Sequence, residues 1–204
     1  MAGIIGTKVG MTQVFLEDGT AVPVTVIEAG PCPVTAVRDP ERDGYAAVQL
    51  AHGETDEDRL SKAELGHLRK ADAGAMRTLI EFRDEGEHQV GDVVTVEAFE
   101  PGQKVKVSGV SVGKGFQGTI RRHNFRRGPV THGSHNVRAP GSIGASADPA
   151  RVFKGTRLPG RMGGRRVTQR RSEVVEIDAD RNLLLVKGSV PGPRNGTVEV
   201  RSDG

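Results

Sequence analysis

The stretch GKGFQGTIRRHNFRR, residues 113–127, opens the part of the chain that decides its architecture. Neither the alternation of a strand nor the 3.6-residue repeat of a helix runs through it. The same character continues to residue 171, with Gly-Pro, His-Gly, Pro-Gly and Gly-Gly pairs that mark loops. We therefore predict a long irregular extension over residues 113–171, and a separate globular domain formed by residues 1–112 and 172–204.

The charge of the chain is segregated along its length. The 204 residues carry a formal net charge of +3, yet residues 1–100 hold 9 Lys/Arg against 19 Asp/Glu. Residues 101–172 hold 16 Lys/Arg and one acid, Asp148. Because like charges repel on a solvated face, such a block is expected to be neutralised by a polyanion. A nucleic acid fits best, and an anionic membrane or an acidic protein is the alternative. Against a membrane, the segment has no amphipathic helical stripe.

Composition argues against several other classes of protein. No apolar run approaches the ~18 residues of a membrane span, and the N-terminal residues do not resemble a signal peptide. One cysteine, Cys32, rules out an intramolecular disulfide framework and a Cys-rich zinc site. The expected location is therefore the reducing cytoplasm.

The regions that flank the basic segment predict a mainly β fold. Asp18-Gly19 is a hairpin signal, and Ser61 with Glu64 has the spacing of a capping box that begins one short helix reaching about residue 73. Many short strands with one helix are typical of a small β-barrel or sandwich. The predicted strands are residues 12–16, 21–28, 34–38, 45–50, 78–83, 93–97, 104–112, 173–178, 182–187 and 197–201.

One motif offers an enzymatic alternative. Gly113-Lys114-Gly115-Phe116-Gln117-Gly118 fits G-x-G-x-x-G, the phosphate-binding turn of a nucleotide-dependent enzyme. Such a site needs a following helix and an acid about 20 residues further on, and no acid occurs before Asp148. We interpret these glycines instead as letting backbone N–H groups approach phosphates, with Lys114 adding charge.

No catalytic residue, metal site or cofactor is predicted. His132 and His135 stand three residues apart without a cysteine or an acid nearby, which is a weak zinc pattern. Ser134 has no evident orienting acid that would complete a nucleophilic triad. Imidazoles in this context favour stacking on bases or bonding to phosphate and sugar oxygens.

The predicted RNA-binding residues are the cations and imidazoles of the extension. Four arginine doublets stand near its two ends, and single bases are spread between them, as expected where an extended chain follows a folded polyanion. Charge alone also fits an architectural DNA-binding protein, although no recognition-helix or zinc-finger pattern is present. The predicted set is Lys114, Arg121, Arg122, His123, Arg126, Arg127, His132, His135, Arg138, Arg151, Lys154, Arg157, Arg161, Arg165, Arg166, Arg170 and Arg171.

Specific runs of residues resemble the large-subunit ribosomal protein L-three family, bacterial type. The resemblance extends over nearly the whole chain. The matching runs include Ser111-Val112-Gly113-Lys114-Gly115-Phe116-Gln117-Gly118 with Arg122, Gly10-Met11-Thr12, Thr131-His132-Gly133-Ser134, Pro140-Gly141-Ser142-Ile143-Gly144 and Asn182-Leu183-Leu184-Leu185-Val186-Lys187-Gly188.

The resemblance implies a non-enzymatic structural constituent of the large ribosomal subunit. It implies a translation-type β-barrel and an extension that runs through large-subunit rRNA toward the peptidyl transferase centre, with its tip at about residues 144–153. It also implies a role in early subunit assembly and neighbouring ribosomal proteins as partners, with no membrane and no small-molecule substrate. Ala147 stands where some bacterial relatives carry a methylated Gln, so that modification is not expected here.

The extension is expected to be mobile in the free protein, because it holds too little apolar area to offset the entropy of ordering its backbone. Hydrogen exchange on the isolated chain measures this directly. Rapid exchange is expected across residues 131–157, and strong amide protection there without nucleic acid would contradict the expectation.

Overall fold

A computed structural model describes residues 3–83 and 88–203 of the chain. The chain forms two compact units: residues up to Ser111 together with those from Arg166 onward, and Val112–Arg165. The outermost residues of the predicted barrel domain, Met1 and Gly204, lie outside the described residues.

The described residues form twelve strands and three short α-helices. The helices are α1 (Pro40–Asp43), α2 (Lys62–Lys70) and α3 (Thr119–His123), and single 3-10 turns lie at Glu57–Arg59 and Val96–Ala98. The strands are β1 (Gly3–Phe15), β2 (Ala21–Ala29), β3 (Cys32–Arg38), β4 (Ala47–Glu54), β5 (Met76–Phe82), β6 (Val93–Val94), β7 (Lys104–Val110), β8 (Phe116–Gln117), β9 (Gly160–Arg161), β10 (Arg166–Asp178), β11 (Leu183–Lys187) and β12 (Thr197–Ser202).

A closed six-stranded barrel forms the larger part of the first unit. The strand order around the barrel is β1, β12, β7, β10, β11, β2, and the neighbouring strands are antiparallel. Every second residue of a strand points inward, and closure leaves no unpaired edge. A second sheet of the same unit, in the order β5, β4, β3, β6, also contributes to the core.

Alternating aliphatic residues fill the barrel. Val105 and Val107 on β7, Leu184 and Val186 on β11, and Val200 on β12 are fully buried. Each such side chain contributes roughly 1.5–3 kcal/mol through removal from water. The mainly β barrel predicted from the sequence is therefore confirmed, with two further short helices, α1 and α3, besides the predicted one.

The sequence-based boundaries differ from the observed ones at several places. β1 begins at Gly3 rather than at residue 12, and β6 is only two residues long because a 3-10 turn follows it. Helix α2 has the predicted capping box at Ser61 but ends at Lys70, earlier than predicted. β10 begins at Arg166, because residues 166–169 pair with β7, so the first unit resumes six residues before the predicted boundary at residue 172.

A buried polar group lies inside the first unit. The ring of His52 has its Nε2 3.2 Å from the Thr7 hydroxyl and its Nδ1 3.9 Å from Cys32 Sγ. The Cys32 thiol lies 3.3 Å from the Ile5 carbonyl oxygen, to which it donates, and burial raises its pKa to about 11, so it stays protonated. Burial lowers the pKa of His52, an effect that Glu28 partly opposes.

The free energy of unfolding should fall as the pH drops through about 6.5. The unfolded chain protonates His52 near its ordinary pKa of 6.5, whereas the folded chain resists protonation because the ring is buried. Urea unfolding should therefore give a smaller free energy of unfolding at pH 5.5 than at pH 7.5. The variant H52Q should lose most of this dependence, and an equal loss in both proteins would contradict the assignment.

Candidate nucleic-acid interface

The second unit begins and ends in a short two-stranded ribbon. β8 pairs with β9 antiparallel, with Phe116 opposite Arg161 and Gln117 opposite Gly160. The pairing continues beyond the strands, since the Lys114 N–H donates to the Met162 carbonyl and the Met162 N–H donates to the Gly115 carbonyl, both at 2.9 Å. The two ends of the extension are thus held together by their own backbone.

Two glycines allow this close approach. A Cβ at Gly163 would lie 2.0 Å from the Val112 carbonyl oxygen, and the φ of +69° there is one that other residues rarely adopt. A Cβ at Gly160 would lie 2.6 Å from Nη1 of Arg122. Glycine is therefore required at 163 by the backbone, whereas a Cβ at 160 would displace only the flexible end of the Arg122 side chain.

Helix α3 follows the ribbon and is fixed to the returning chain. Arg122 Nη1 donates to the Leu158 carbonyl at 2.8 Å, and His123 Nε2 lies 3.1 Å from the same oxygen. Asn124 ends the helix in the left-handed conformation, and Gly118 precedes it without a side-chain cap. Arg122 and His123 are half-buried as a result, whereas Arg121 is exposed.

Beyond α3 the chain has little regular structure. The Gly128 N–H donates to the Val137 carbonyl at 3.1 Å, which closes a loop that contains the two exposed histidines, His132 and His135. Further along, Thr156 Oγ1 donates to the Phe153 carbonyl at 2.7 Å. From residue 138 to residue 157 every residue except Pro149 is exposed. Such a segment leaves its side chains and much of its backbone open to a partner.

The structure places fourteen of the seventeen predicted RNA-binding residues in this second unit. Asp148 is its one carboxylate side chain against eleven Lys and Arg. The bases of residues 113–161, all of which the structure describes, form no ion pair with a carboxylate. All of these bases except Arg122 are exposed, so their charge faces solvent without a counter-charge from the protein.

The remaining three predicted residues lie on β10 in the first unit. Arg166 pairs with Glu199 through its Nη2. Arg170 and Arg171 lie at a register shift between β10 and β7, where an extra residue is accommodated and Arg171 adopts a φ of 55°. The Arg171 N–H donates to the Asp203 carboxylate at 3.2 Å. These three arginines are exposed like the others, but they lie on a strand of the barrel, and Arg166 is paired with an acid.

The histidines of the extension form no common site. His123 bonds to the Leu158 carbonyl, and His132 and His135 are exposed on the 128–137 loop. No cluster of three or more His, Cys, Asp or Glu that could hold a metal occurs within residues 3–83 and 88–203. In the same ranges, no helix has the length and apolar character required to cross a membrane.

The G-x-G-x-x-G motif does precede a helix, contrary to the sequence-based expectation. This helix, α3, is only five residues long, and the strand before it pairs antiparallel with β9. A dinucleotide site requires a parallel βαβ unit instead. The glycines of the motif therefore belong to the antiparallel β8–β9 ribbon and not to a nucleotide-binding fold.

Sequence reasoning assigned no role to the aromatic rings of the extension. Phe116 is 76% exposed and Phe153 is 57% exposed, although apolar rings of this size are usually buried. Their position among glycines and arginines is a signal in the sequence, but the degree of exposure is visible only in the structure.

The structure combines a closed six-stranded β-barrel with a long, basic, acid-poor insertion. The family model described as Ribosomal protein L3 matches residues 50–183. The chain is 55% identical to the protein named Large ribosomal subunit protein uL3 of Acidothermus cellulolyticus, over 98% of this chain and 91% of that protein. It is 52% identical to the protein of the same name from Thermosynechococcus vestitus, over 97% of this chain and 94% of the relative.

The chain belongs to the ribosomal protein L3 family. Members of this family are structural components of the ribosome and not enzymes, so the nucleotide-dependent alternative at residues 113–118 is discarded. The resemblance noted in the sequence is thereby confirmed.

Replacing Gly163 with alanine should disrupt the ribbon. The new Cβ would clash with the Val112 carbonyl, and the left-handed backbone there adds strain. Hydrogen exchange of the Lys114 and Met162 amides should become faster in G163A. The matched control is G113A, because a Cβ at Gly113 meets nothing within 4 Å. Equal protection of both amides in the two variants would contradict the role given to Gly163.

Proposed function

We propose that the protein is a structural constituent of the large ribosomal subunit whose extension binds large-subunit rRNA. One observation carries the proposal: the second unit exposes ten of its eleven cations, with a single acid and no ion pair among residues 113–161. The names of its relatives, which are large ribosomal subunit proteins, indicate which polyanion is meant.

In this proposal the extension binds RNA because its cations neutralise the phosphates. Arginine meets phosphate with two parallel hydrogen bonds and also stacks on bases, so spaced arginines suit a path between closely packed RNA helices. The glycines at Gly113, Gly115 and Gly118 leave open space where a side chain would stand, so RNA can approach the backbone there. The barrel supplies the folded anchor, since β7 before the extension and β10 after it are paired strands of its wall.

The finer parts of the proposal rest on the resemblance to the family. We place the tip of the extension, at about residues 144–153, toward the peptidyl transferase centre. We also assign the protein to early assembly of the subunit, beside other ribosomal proteins in the cytoplasm. The exposed, sparsely bonded backbone from residue 138 to residue 157 supports this, because such a segment takes its shape from what surrounds it.

Binding to a large-subunit rRNA transcript should depend steeply on salt. If about 6–10 cations of the extension contact phosphates, affinity falls by roughly 10³–10⁵ between 50 and 200 mM salt. Filter binding at four salt concentrations gives the slope. A flat salt response would contradict the proposal, and equal affinity for duplex DNA in competition would favour an architectural DNA-binding protein instead.

Two neighbouring arginines should behave differently in the same assay. Arg121 is exposed, so R121A should reduce the salt slope by about one and leave the ribbon intact. Arg122 donates to the Leu158 carbonyl, so R122A should in addition speed amide exchange near Leu158. The exposed Arg42 on α1 provides the control R42A, which should change neither quantity. Identical effects of R121A and R42A on the slope would count against the interface.

A further inference from the structure

Phe116 stands out among the aromatic residues of the second unit. It is 76% exposed, and among the described residues it has neither a cation nor another ring stacked on it. The other two phenylalanines of the unit differ. Arg151 lies over the Phe153 ring, with its guanidinium carbon 5.4 Å from the ring centroid, and half-buried Phe125 lies 6.1 Å from the His123 ring. Both faces of the Phe116 ring therefore lack an aromatic or cationic partner.

The backbone around Phe116 is also open. Phe116 follows Gly115, and Gly113 and Gly118 lie within three residues of it. A Cβ built at any of these three glycines meets no atom within 4 Å. A flat group can therefore approach the ring without meeting neighbouring side chains at these glycines. The backbone that carries the ring is held in place nonetheless, because β8 pairs with β9 and the Gly115 carbonyl accepts from the Met162 N–H at 2.9 Å.

A cation accompanies the ring on the same face of the ribbon. Phe116 and Arg161 lie directly opposite each other in the antiparallel pair, which places their Cβ atoms about 5 Å apart on one face. The Arg161 guanidinium is near Gly164, where a built Cβ would meet its Nη2 at 3.1 Å. The ring and the cation are thus side by side and are not stacked on each other.

We propose that Phe116 and Arg161 form a binding site for one unpaired nucleotide of the RNA, with the base stacked on the Phe116 ring and its phosphate bound by Arg161. The proposal rests on the function proposed above. An unpaired nucleotide matches both groups, since every base has a flat face and every nucleotide a phosphate. A protein partner with an apolar pocket would have to cover Phe116 while desolvating the adjacent guanidinium, which is costly.

The test uses the full-length protein and a large-subunit rRNA transcript. F116L keeps an apolar side chain but removes the ring, and it should weaken binding on the order of 10-fold at every salt concentration, so the salt slope is unchanged. R161A should weaken binding and also reduce the slope by about one. The matched control is F15L, because Phe15 is similarly exposed, at 65%, but lies on the first unit and should leave binding unchanged.

A fluorescence measurement tests stacking itself. The chain has no tryptophan, so F116W introduces a single reporter at the proposed site. Its affinity should match or exceed that of the natural protein, and its emission should be quenched when RNA binds. Quenching at the tryptophan together with a salt-independent loss in F116L would support the nucleotide site.

The failures of the two proposals are distinguishable. If the natural protein binds the transcript with a steep salt slope, but F116L binds equally well and F116W emission does not change, the nucleotide site is wrong and the RNA-binding function stands. If the natural protein does not bind the transcript, both are wrong. If F116L loses affinity only when a second ribosomal protein is added, Phe116 contacts a protein, and the nucleotide site is again wrong.

Discussion

Antiparallel pairing between β7 and β10 is the interaction on which the architecture of the chain depends, because it closes the barrel wall across the base of the insertion. Val110, at the end of β7, lies opposite Arg166, at the start of β10, although 55 residues separate them in sequence. The long insertion between them therefore leaves and returns at neighbouring points of one barrel wall. Both strands also contribute fully buried valines, Val107 and Val174, so the anchor is part of the core itself. The barrel can close without any structural contribution from the insertion's interior.

The insertion, which is the second unit, lacks the extensive strand pairing and apolar core of the barrel. It has a short ribbon, one five-residue helix and a few loop hydrogen bonds, and most of its side chains are exposed. Eleven cations against one acid repel one another, and no buried apolar cluster of the described residues lies within it. Two contacts join the start of the insertion to its end. Arg122 donates to the Leu158 carbonyl, and the backbone at Gly163 closely approaches Val112. Between residues 138 and 157 such contacts are sparse, with short-range bonds such as those of Ser142 and Thr156.

The division into a β domain and an extension could be predicted from the sequence. Alternating aliphatic residues indicated the strands, and the excess of cations over acids indicated the insertion. The strand boundaries were predicted wrongly where glycines interrupt the alternation of apolar and polar residues. β1 was missed before residue 12, where Gly3 and Gly6 are required by contact with Phe82 and Ile27, which lie far away in sequence. The start of β10 was assigned to the extension because its outward residues are basic, and its pairing with β7 is a long-range property. The exposure of Phe116 was equally inaccessible, since it depends on which surfaces the fold leaves uncovered.

Arginines of the first unit differ from those of the extension in having acids beside them. Arg38 bonds to both Asp43 and Glu81, at 3.1 and 3.2 Å, and Arg201 bonds to Glu199 at 3.1 Å with its guanidinium 4.6 Å from the Phe82 ring centroid. These ion pairs are half-buried and leave little positive charge for another molecule. The guanidiniums of Arg121, Arg126 and Arg138 have no such acid beside them. Because no acid neutralises their charge, these guanidiniums are available to phosphates, and the RNA binding proposed above would also relieve the repulsion among the cations of the extension.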